Sequence, residues 1–543
     1  MEPSVYRKKW LSIKKDSCPQ DALLQLSRQA ALSFVDRYYQ TGAYEPEYII
    51  LLCEMATSFP DTELNNTAAS ALFEIIVEKL CDDFEDVPVE VYCRVMSEVI
   101  SYCRNVRQGA ALDRALADFR ILSPEELYER AIFVHTRRYS YNTTNPPEKI
   151  ILLSRVTIGA DVAILSVMIQ RFTRIFPQAE IVVIGSSKLQ GVFGGNKHIR
   201  ICPLDYARSG GLFERFSSWH SALDILAGEM PPGQEDRTLL VDPDSRISQL
   251  GVLPLTHRDN YLFFNSRQCA ASAKNARMAE LANRWMDSVF GASEFCYPEV
   301  WTIPSISLKT RKLAALLRSA GCRQLVAVNF GVGTNPRKRL GLHFEQNLLR
   351  EILKAPQTVV LLDKGFGQDE LSRSAALLDS IKNQGFSTAD MSFDDPEYPS
   401  LAHGLLTIGC SVGEITALIA QCDEFIGYDS ACQHIAAAVR TPAVTVFAGS
   451  NDMNFVRRWS ACGKTQHKIV HVDTLTDPQN VNANEVISRI MAERPKKEGR
   501  RQKPALSEAS GERSRTVEGT EFRILDTDLG LPKPVRDLKK QTL

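Results

Sequence analysis

The sequence predicts an α/β protein: an all-α region, then two successive doubly wound halves, each a mostly parallel sheet covered by helices. Three observations predict this. From residue 149 onward, short apolar runs alternate with helical stretches, the pattern of parallel βαβ units. The alternation comes in two sets of comparable size, 149–300 and 311–490. Ahead of them, residues 1–140 carry apolar side chains at helical spacing, with few glycines and no long β-branched run.

Taken in order, DALLQLSRQAALSFVDRYY and NTAASALFEIIVEKLCDDF read as helices of the first region. Ser123-Pro124-Glu125-Glu126 reads as a helix start, with a serine cap, proline in the first turn and a glutamate at the third helical position. Asn145-Pro146-Pro147 breaks this pattern. KIILLSR (149–155), AEIVVIG (179–185), TLLVD (238–242) and NYLFF (260–264) then read as strands, with VAILSVMIQRFTRIF as a helix after the first. PEVWTIPSISLKT, around 298–310, reads as the crossing between halves. LVAVNF (325–330), TVVLLD (358–363), EFIGYD (424–429) and AVTVFA (443–448) supply the second set. From 494 to 543 the chain is charged, rich in Pro, Gly and Ser, and reads as a disordered tail whose basic front could touch an anionic surface.

The bulk numbers exclude some functions. Lys and Arg total 64 against 65 Asp and Glu, so no global basic field gathers nucleic acid. The 13 cysteines are scattered and odd in number, with no Cys-x-x-Cys, which fits reduced thiols in cytosol better than a disulfide scaffold. The basic N-terminus has no apolar run behind it, and no stretch approaches the roughly 18 apolar residues of a membrane helix. The expectation is a cytoplasmic protein that meets any lipid-linked substrate from the water side, with a peripheral membrane contact left open.

In doubly wound sheets ligands bind beyond the carboxyl ends of the strands, and five such places hold chemistry. In Gly427-Tyr428-Asp429-Ser430-Ala431-Cys432-Gln433-His434, Asp429 and Ser430 stand at a helix start and His434 lies one turn on. A helix N-terminus attracts phosphate through its unpaired N–H groups; a capped helix with a satisfied histidine is the plainer reading. In Thr157-Ile158-Gly159-Ala160-Asp161, Asp161 is either a helix cap or a carboxylate that takes a proton from a hydroxyl. The loop Gly331-Val332-Gly333-Thr334-Asn335-Pro336-Arg337-Lys338-Arg339 joins glycines to three consecutive cations that suit a diphosphate, or it is a solvated basic turn. It is neither a P-loop nor a dinucleotide fingerprint. The turn from Asp363 to Glu370 is a cap or a nucleotide-pocket rim. Asp242, Asp244 and Arg246 offer two carboxylates and an arginine to an acceptor, with ordinary turn chemistry as the alternative. Cys422, Cys432 and His434 fit no zinc spacing, and no Gly-x-Ser-x-Gly elbow occurs.

Together these segments resemble glycosyltransferase family 9, the ADP-heptose:lipopolysaccharide heptosyltransferases. ILLSRVTIGADVAILSVMIQRFTRIFPQAEIVVIG is similar to the family's opening strand, glycine–aspartate loop and helix. NFGVGTNPRKRLGLHFEQNLLREIL resembles its lysine loop, and GEITALIAQCDEFIGYDSACQHIAAAVRTPAVTVFAGSND its Asp-Ser/Thr-Gly-x-x-His donor motif. The resemblance spans about 149–490. It implies a GT-B fold of two Rossmann-like domains facing a cleft, and an inverting transfer without metal or cofactor. The donor it implies is an ADP-linked heptose, and the acceptor a glycan or lipopolysaccharide. It places Asp161 as general base, Lys338 on the donor phosphates and Asp429, Ser430 and His434 in the donor-binding motif; Gly331, Gly333, Arg337 and Arg339, read from the loop's own glycines and cations, would border the same donor. The acceptor would then meet Asp242, Asp244 and Arg246. The sequence departs from the family pattern in three places. Gly159 stands one step further from Asp161, Ala431 replaces a glycine, and Leu340-Gly341 replaces Trp-Pro. A nucleotide-sugar epimerase on the same fold, or a non-catalytic scaffold that binds a sugar nucleotide, are the alternatives.

Overall fold

A computed structural model describes residues 2–495 apart from 16–18, 83–85, 208–209, 232, 234, 257–259, 268–274, 292, 334 and 477–480. The tail expected from 494 therefore lies outside the described residues, except for Arg494 and Pro495.

The first region is helical as expected. Gln20–Thr41 is one helix, and Thr62–Ala71 runs through a π-helical segment, Leu72–Val77, into Glu78–Asp82. The predicted helix start at Ser123 is a full capping box: Glu126 N–H donates to Ser123 Oγ at 3.1 Å, and Ser123 N–H to Glu126 Oε2 at 3.2 Å. That helix, Pro124–Thr136, clamps a turn of the next region. Arg130 Nη1 donates to Gly251 O at 2.7 Å, and His135 Nε2 lies 2.7 Å from Leu250 O.

Two parallel sheets follow. The first holds β1 (Lys149–Leu153), β2 (Glu180–Gly185), β3 (Ile199–Pro203), β4 (Thr238–Asp242) and β5 (Tyr261–Phe263), in the order β3-β2-β1-β4-β5. The second holds β6 (Gln324–Asn329), β7 (Thr358–Asp363), β8 (Thr388–Ser392), β9 (Gly404–Gly409), β10 (Glu424–Tyr428), β11 (Ala443–Phe447) and β12 (His467–His471), in the order β12-β11-β10-β6-β7-β9-β8. Both are doubly wound Rossmann-like sheets, so the GT-B expectation holds. The crossing around 298–310 leads into a helix, Pro304–Ser319, with proline in its first turn.

Alternate residues of each strand serve different cores, because side chains alternate between the two faces of a sheet. In the first sheet Ile151, Leu153, Val182, Ile184, Leu240 and Phe263 pack into one apolar cluster with the helical region. The helical region is thus joined to this sheet by a shared core. The alternate residues, Ile150, Leu152, Ile181, Val183 and Leu239, face a second cluster. That cluster continues through Val162, Phe172, Ile415 and Ile435 to Leu325, Ala327 and Leu361 of the second sheet. The far face of the second sheet has its own cluster around Val328, Leu348 and Ile426.

The two halves touch closely where glycine removes a side chain. A Cβ on Gly191 would lie 2.6 Å from Gly413 N, and one on Gly159 would lie 3.0 Å from Ala431 Cα and 3.2 Å from His434 Cδ2. Both are interfaces that only a glycine fits without a shift of the neighbour.

Candidate donor and transfer site

The loop after β1 is shaped by Asp161. The helix begins at Ile158 with Thr157 as its N-cap, and Asp161 opens a π-helical turn, Asp161–Leu165, before Ser166–Ile175 resumes the α form. Asp161 therefore does not cap the helix. It is 1% exposed, and its carboxylate accepts from Ser154 Oγ at 2.7 Å and from Arg155 N–H at 2.7 Å. Ser154 Oγ in turn accepts from Val156 N–H at 2.9 Å, and Val156 holds a left-handed φ of 62°. A β-branched residue in that region is strained and is held there by its surroundings. A single-turn π segment beside a strained loop is a frequent mark of a functional site.

Opposite this loop, across the Gly159 contact, stands the start of the helix Ala431–Ala438. Ser430 is its N-cap residue but makes no capping hydrogen bond, and Asp429 does not cap it either. The Asp429 carboxylate accepts from Lys338 Nζ at 2.5 Å and from Gln433 Nε2 at 2.5 Å. This helix end thus carries no side-chain cap from the two residues expected to supply one, and a lysine ammonium stands beside it. That is the arrangement in which backbone N–H groups and a cation meet an anion together. His434 is 5% exposed, and burial pushes its imidazole down to about 4, so it is neutral at pH 7. Its ring meets Trp459 edge-on, with centroids 6.2 Å apart.

The segment just after Lys338 is tied down from β10. Leu340 N–H donates to Tyr428 Oη at 3.1 Å, and Tyr428 Oη donates to the enclosed Glu345 carboxylate, which also takes Arg373 in two bonds of 2.7 and 2.9 Å. Gly331 is half-buried, and Gly333 is exposed with a φ of +60°. Thr334 lies outside the described residues. Arg337 is exposed, and its carbonyl accepts from Thr474 Oγ1 at 3.3 Å. Arg339 turns to the first turn of the helix after β7, Gln368–Asn383, donating to Asp369 Oδ2 at 2.6 Å and Glu370 Oε1 at 3.2 Å. The three cations therefore separate: Lys338 joins the Asp429 motif, Arg339 joins the helix Gln368–Asn383 and Arg337 is exposed.

Arg339 and Glu370 line a pocket at the carboxyl ends of β6 and β7, together with Phe330, Gly331, Asp363 and Gly365. Asp363 accepts from Asn329 Nδ2 at 2.8 Å, and burial raises its carboxyl to about 6. Asn329, Glu345, Tyr428, Arg155 and Trp459 were not singled out from the sequence. Asn329 and Tyr428 each end a strand, the one local signal that could have found them.

The turn expected on the acceptor side is closely packed. Asp242 is fully buried; it accepts from Ser245 N–H at 2.7 Å and Tyr261 Oη at 2.9 Å, and burial lifts it to about 6. Asp244 is 1% exposed, holds a left-handed φ of 65°, and takes Ser266 Oγ at 2.6 Å together with the Arg267 guanidinium. Arg267 Nε also donates to Cys81 O of the helical region at 2.8 Å. Both carboxylates are enclosed and bind the protein's own groups, as Asp161 does. Arg246 alone of the three is partly exposed. Among the described residues no three His, Cys, Asp or Glu side chains group as metal ligands. No helix among them is long and apolar enough to cross a membrane.

Comparison with known proteins agrees with the motif. Residues 409–484, which contain β10, the Asp429 motif and β11, match the family model described as glycosyltransferase family 9 (heptosyltransferase). No curated protein matches the chain. Among solved structures, the chain is similar to a family 9 glycosyltransferase from Veillonella parvula, at 14% identity over 66% of this chain and 97% of that one, TM-score 0.46. It is also similar to the E. coli heptosyltransferase WaaC with ADP, at 12% identity over 64% and 100%, TM-score 0.45. A third is the E. coli ADP-heptose lps heptosyltransferase II, at 13% identity over 64% and 98%, TM-score 0.41. The family signature read from the sequence is thus matched over 409–484, the segment that holds the Asp429 motif.

Proposed function

With its donor-motif segment matched to the heptosyltransferase family, we propose that this protein moves a sugar from a nucleoside diphosphate donor to a hydroxyl of a glycan or lipid-linked acceptor. The transfer inverts the anomeric centre and uses no metal. The donor is ADP-linked and heptose-like, and the reaction belongs to the cytoplasm. The observation that carries this reading is the Lys338–Asp429 pair at 2.5 Å beside the start of Ala431–Ala438, packed against the loop after β1.

In this reading Lys338 and the backbone N–H groups of that helix start take the charge that develops on the leaving diphosphate. A fixed cation there does the work a metal does in other transferases. Gly331, Gly333, Arg337 and Arg339 border the donor from the neighbouring loop, and Ser430 and His434 from the helix. Asp161 accepts the proton of the attacking hydroxyl. Both its oxygens are engaged in this structure, so the acceptor hydroxyl takes the place of Ser154 Oγ as a donor to the carboxylate. Arg246 contributes to the acceptor side.

The test is an assay of the purified chain with a panel of nucleotide sugars, read as nucleoside diphosphate release with and without candidate glycan acceptors. Acceptor-dependent release supports transfer. Conversion of the nucleotide sugar without an acceptor would make the protein an epimerase, and binding without turnover a scaffold.

A further inference from the structure

The helix Met453–Trp459 follows β11 and carries two aromatic residues four positions apart, Phe455 and Trp459. Side chains at that spacing share one helix face. Here the face meets one residue of the lysine loop and one of the donor motif. Lys338 Nζ lies 5.8 Å from the centre of the Phe455 ring, and the Trp459 ring meets His434 at an interplanar angle of 73°.

Trp459 has a second partner, and it comes from the other half of the protein. The Arg155 guanidinium stands 5.6 Å from the centre of the Trp459 ring. Arg155 is 7% exposed and is held in place: Nη1 donates to Ser266 Oγ at 2.6 Å, and Nη2 lies 3.7 Å from Asp244 Oδ2. A desolvated cation over an indole is the stronger form of this interaction. The backbone N–H of the same Arg155 binds Asp161. One residue of the loop after β1 thus has its main chain on the proposed base and its side chain on the ring that packs against His434.

We propose that Trp459 is a positioning residue of the transfer reaction, holding the His434 ring in register with the loop after β1 through its contact with Arg155. This rests on the transferase reading above and adds a coupling between the halves that the family motif does not contain. An indole that merely filled space would hold His434 regardless of what stood on its other side. An indole pinned by Arg155 passes a change at Arg155 to a histidine on the opposite half.

The full chain tests this through the rate at which diethyl pyrocarbonate acylates His434, read by peptide mass spectrometry, with folding checked by circular dichroism. W459L should raise that rate about tenfold, and W459F, which keeps an aromatic face, should stay within about twofold of the parent. R155M should raise it about threefold, and should add nothing in the W459L background. R155K keeps a charge for Asp244 but loses the planar guanidinium, and should raise it about twofold, so the proposal stays testable if R155M does not fold. His434 reactivity unchanged by either Arg155 substitution would reduce Trp459 to space filling and overturn the proposal. In the sugar-transfer assay W459L should bind ADP like the parent and turn over about tenfold more slowly, with W459F restoring most of the rate. Coupling without any transfer would sink the transferase reading alone, whereas transfer without coupling would sink the role of Trp459 alone.

Discussion

Lys338 Nζ and Asp429 Oδ2 lie 2.5 Å apart, joining the loop after β6 to the loop after β10. The lysine side chain is 20% exposed and the aspartate 8%, so water reaches the cation but scarcely its partner. An incoming diphosphate can share Lys338 without stripping Asp429 bare, because Gln433 Nε2 also donates to it.

Lys338→Met should therefore separate affinity from stability. Loss of one charge-assisted contact should weaken ADP binding on the order of tenfold, measured by titration calorimetry. It should also lower the melting temperature, since Asp429 loses its counter-charge. Adding Asp429→Asn should recover stability but not affinity. Unchanged ADP affinity in Lys338→Met would remove the lysine from the donor site.

At Asp161 two substitutions give opposite readings. In Asp161→Asn the side-chain carbonyl can still accept from Arg155 N–H, and the amide can donate to Ser154 Oγ, so this variant should fold like the parent. It loses the proton acceptor and should transfer sugar about 10²–10⁴-fold more slowly. Asp161→Ala removes both accepted bonds from an enclosed site and should cost about 1–3 kcal/mol of stability. Parent-like turnover by Asp161→Asn would leave Asp161 as a clamp of the loop and nothing more.

Asp363 makes a prediction about pH. The folded chain keeps its carboxyl protonated up to about pH 6, against 3.8 for an unperturbed aspartate. Between those values the folded state binds the extra proton, so this residue's contribution to stability falls as pH rises, by roughly 3 kcal/mol. His434 and His467 act in the opposite sense. Both are lowered from 6.5 to about 4, so the unfolded state protonates first and their contribution grows as pH rises from 4 to 6.5. Asp363→Asn removes the first effect and leaves the second. Denaturant melts should show the variant more stable than the parent at pH 7 and losing stability more steeply toward pH 4. Parallel pH curves would show that burial does not hold Asp363 protonated.

Gly191 and Gly413 test how rigidly the halves are packed. An added methyl at 191 would lie 2.6 Å from backbone nitrogen, which no rotamer relieves. Gly191→Ala should destabilise the protein by about 1–3 kcal/mol and speed amide exchange in Val412–Gln421. A neutral effect on both would mean that the halves separate freely at this contact.

Much of the fold was legible because it depends on near neighbours in the chain. Alternating runs and helix spacing placed β1, β2, β4, β5, β6, β7, β10 and β11, together with the capping box at Ser123. The unread strands β3, β8 and β12 all lie at sheet edges. Their runs, IRICP, TADMS and HKIVH, mix polar and apolar residues because one side faces no neighbouring strand. The interior strand β9, GLLTIG, is also unread.

The residue types of the donor motif, and the strand–helix–strand setting that presents them, were determined by the sequence itself. Which partners those residues take was decided only by the tertiary structure. Asp242 and Asp244 look free in a linear reading, yet the fold brings Tyr261, Ser266 and Arg267 onto them and encloses both. Three adjacent cations read as one phosphate grip, yet Lys338 and Arg339 bind carboxylates on different elements. Local spacing sets helix and strand, because those are made by residues a few positions apart. A buried charge takes whatever partner the topology delivers, and that partner comes from anywhere along the chain.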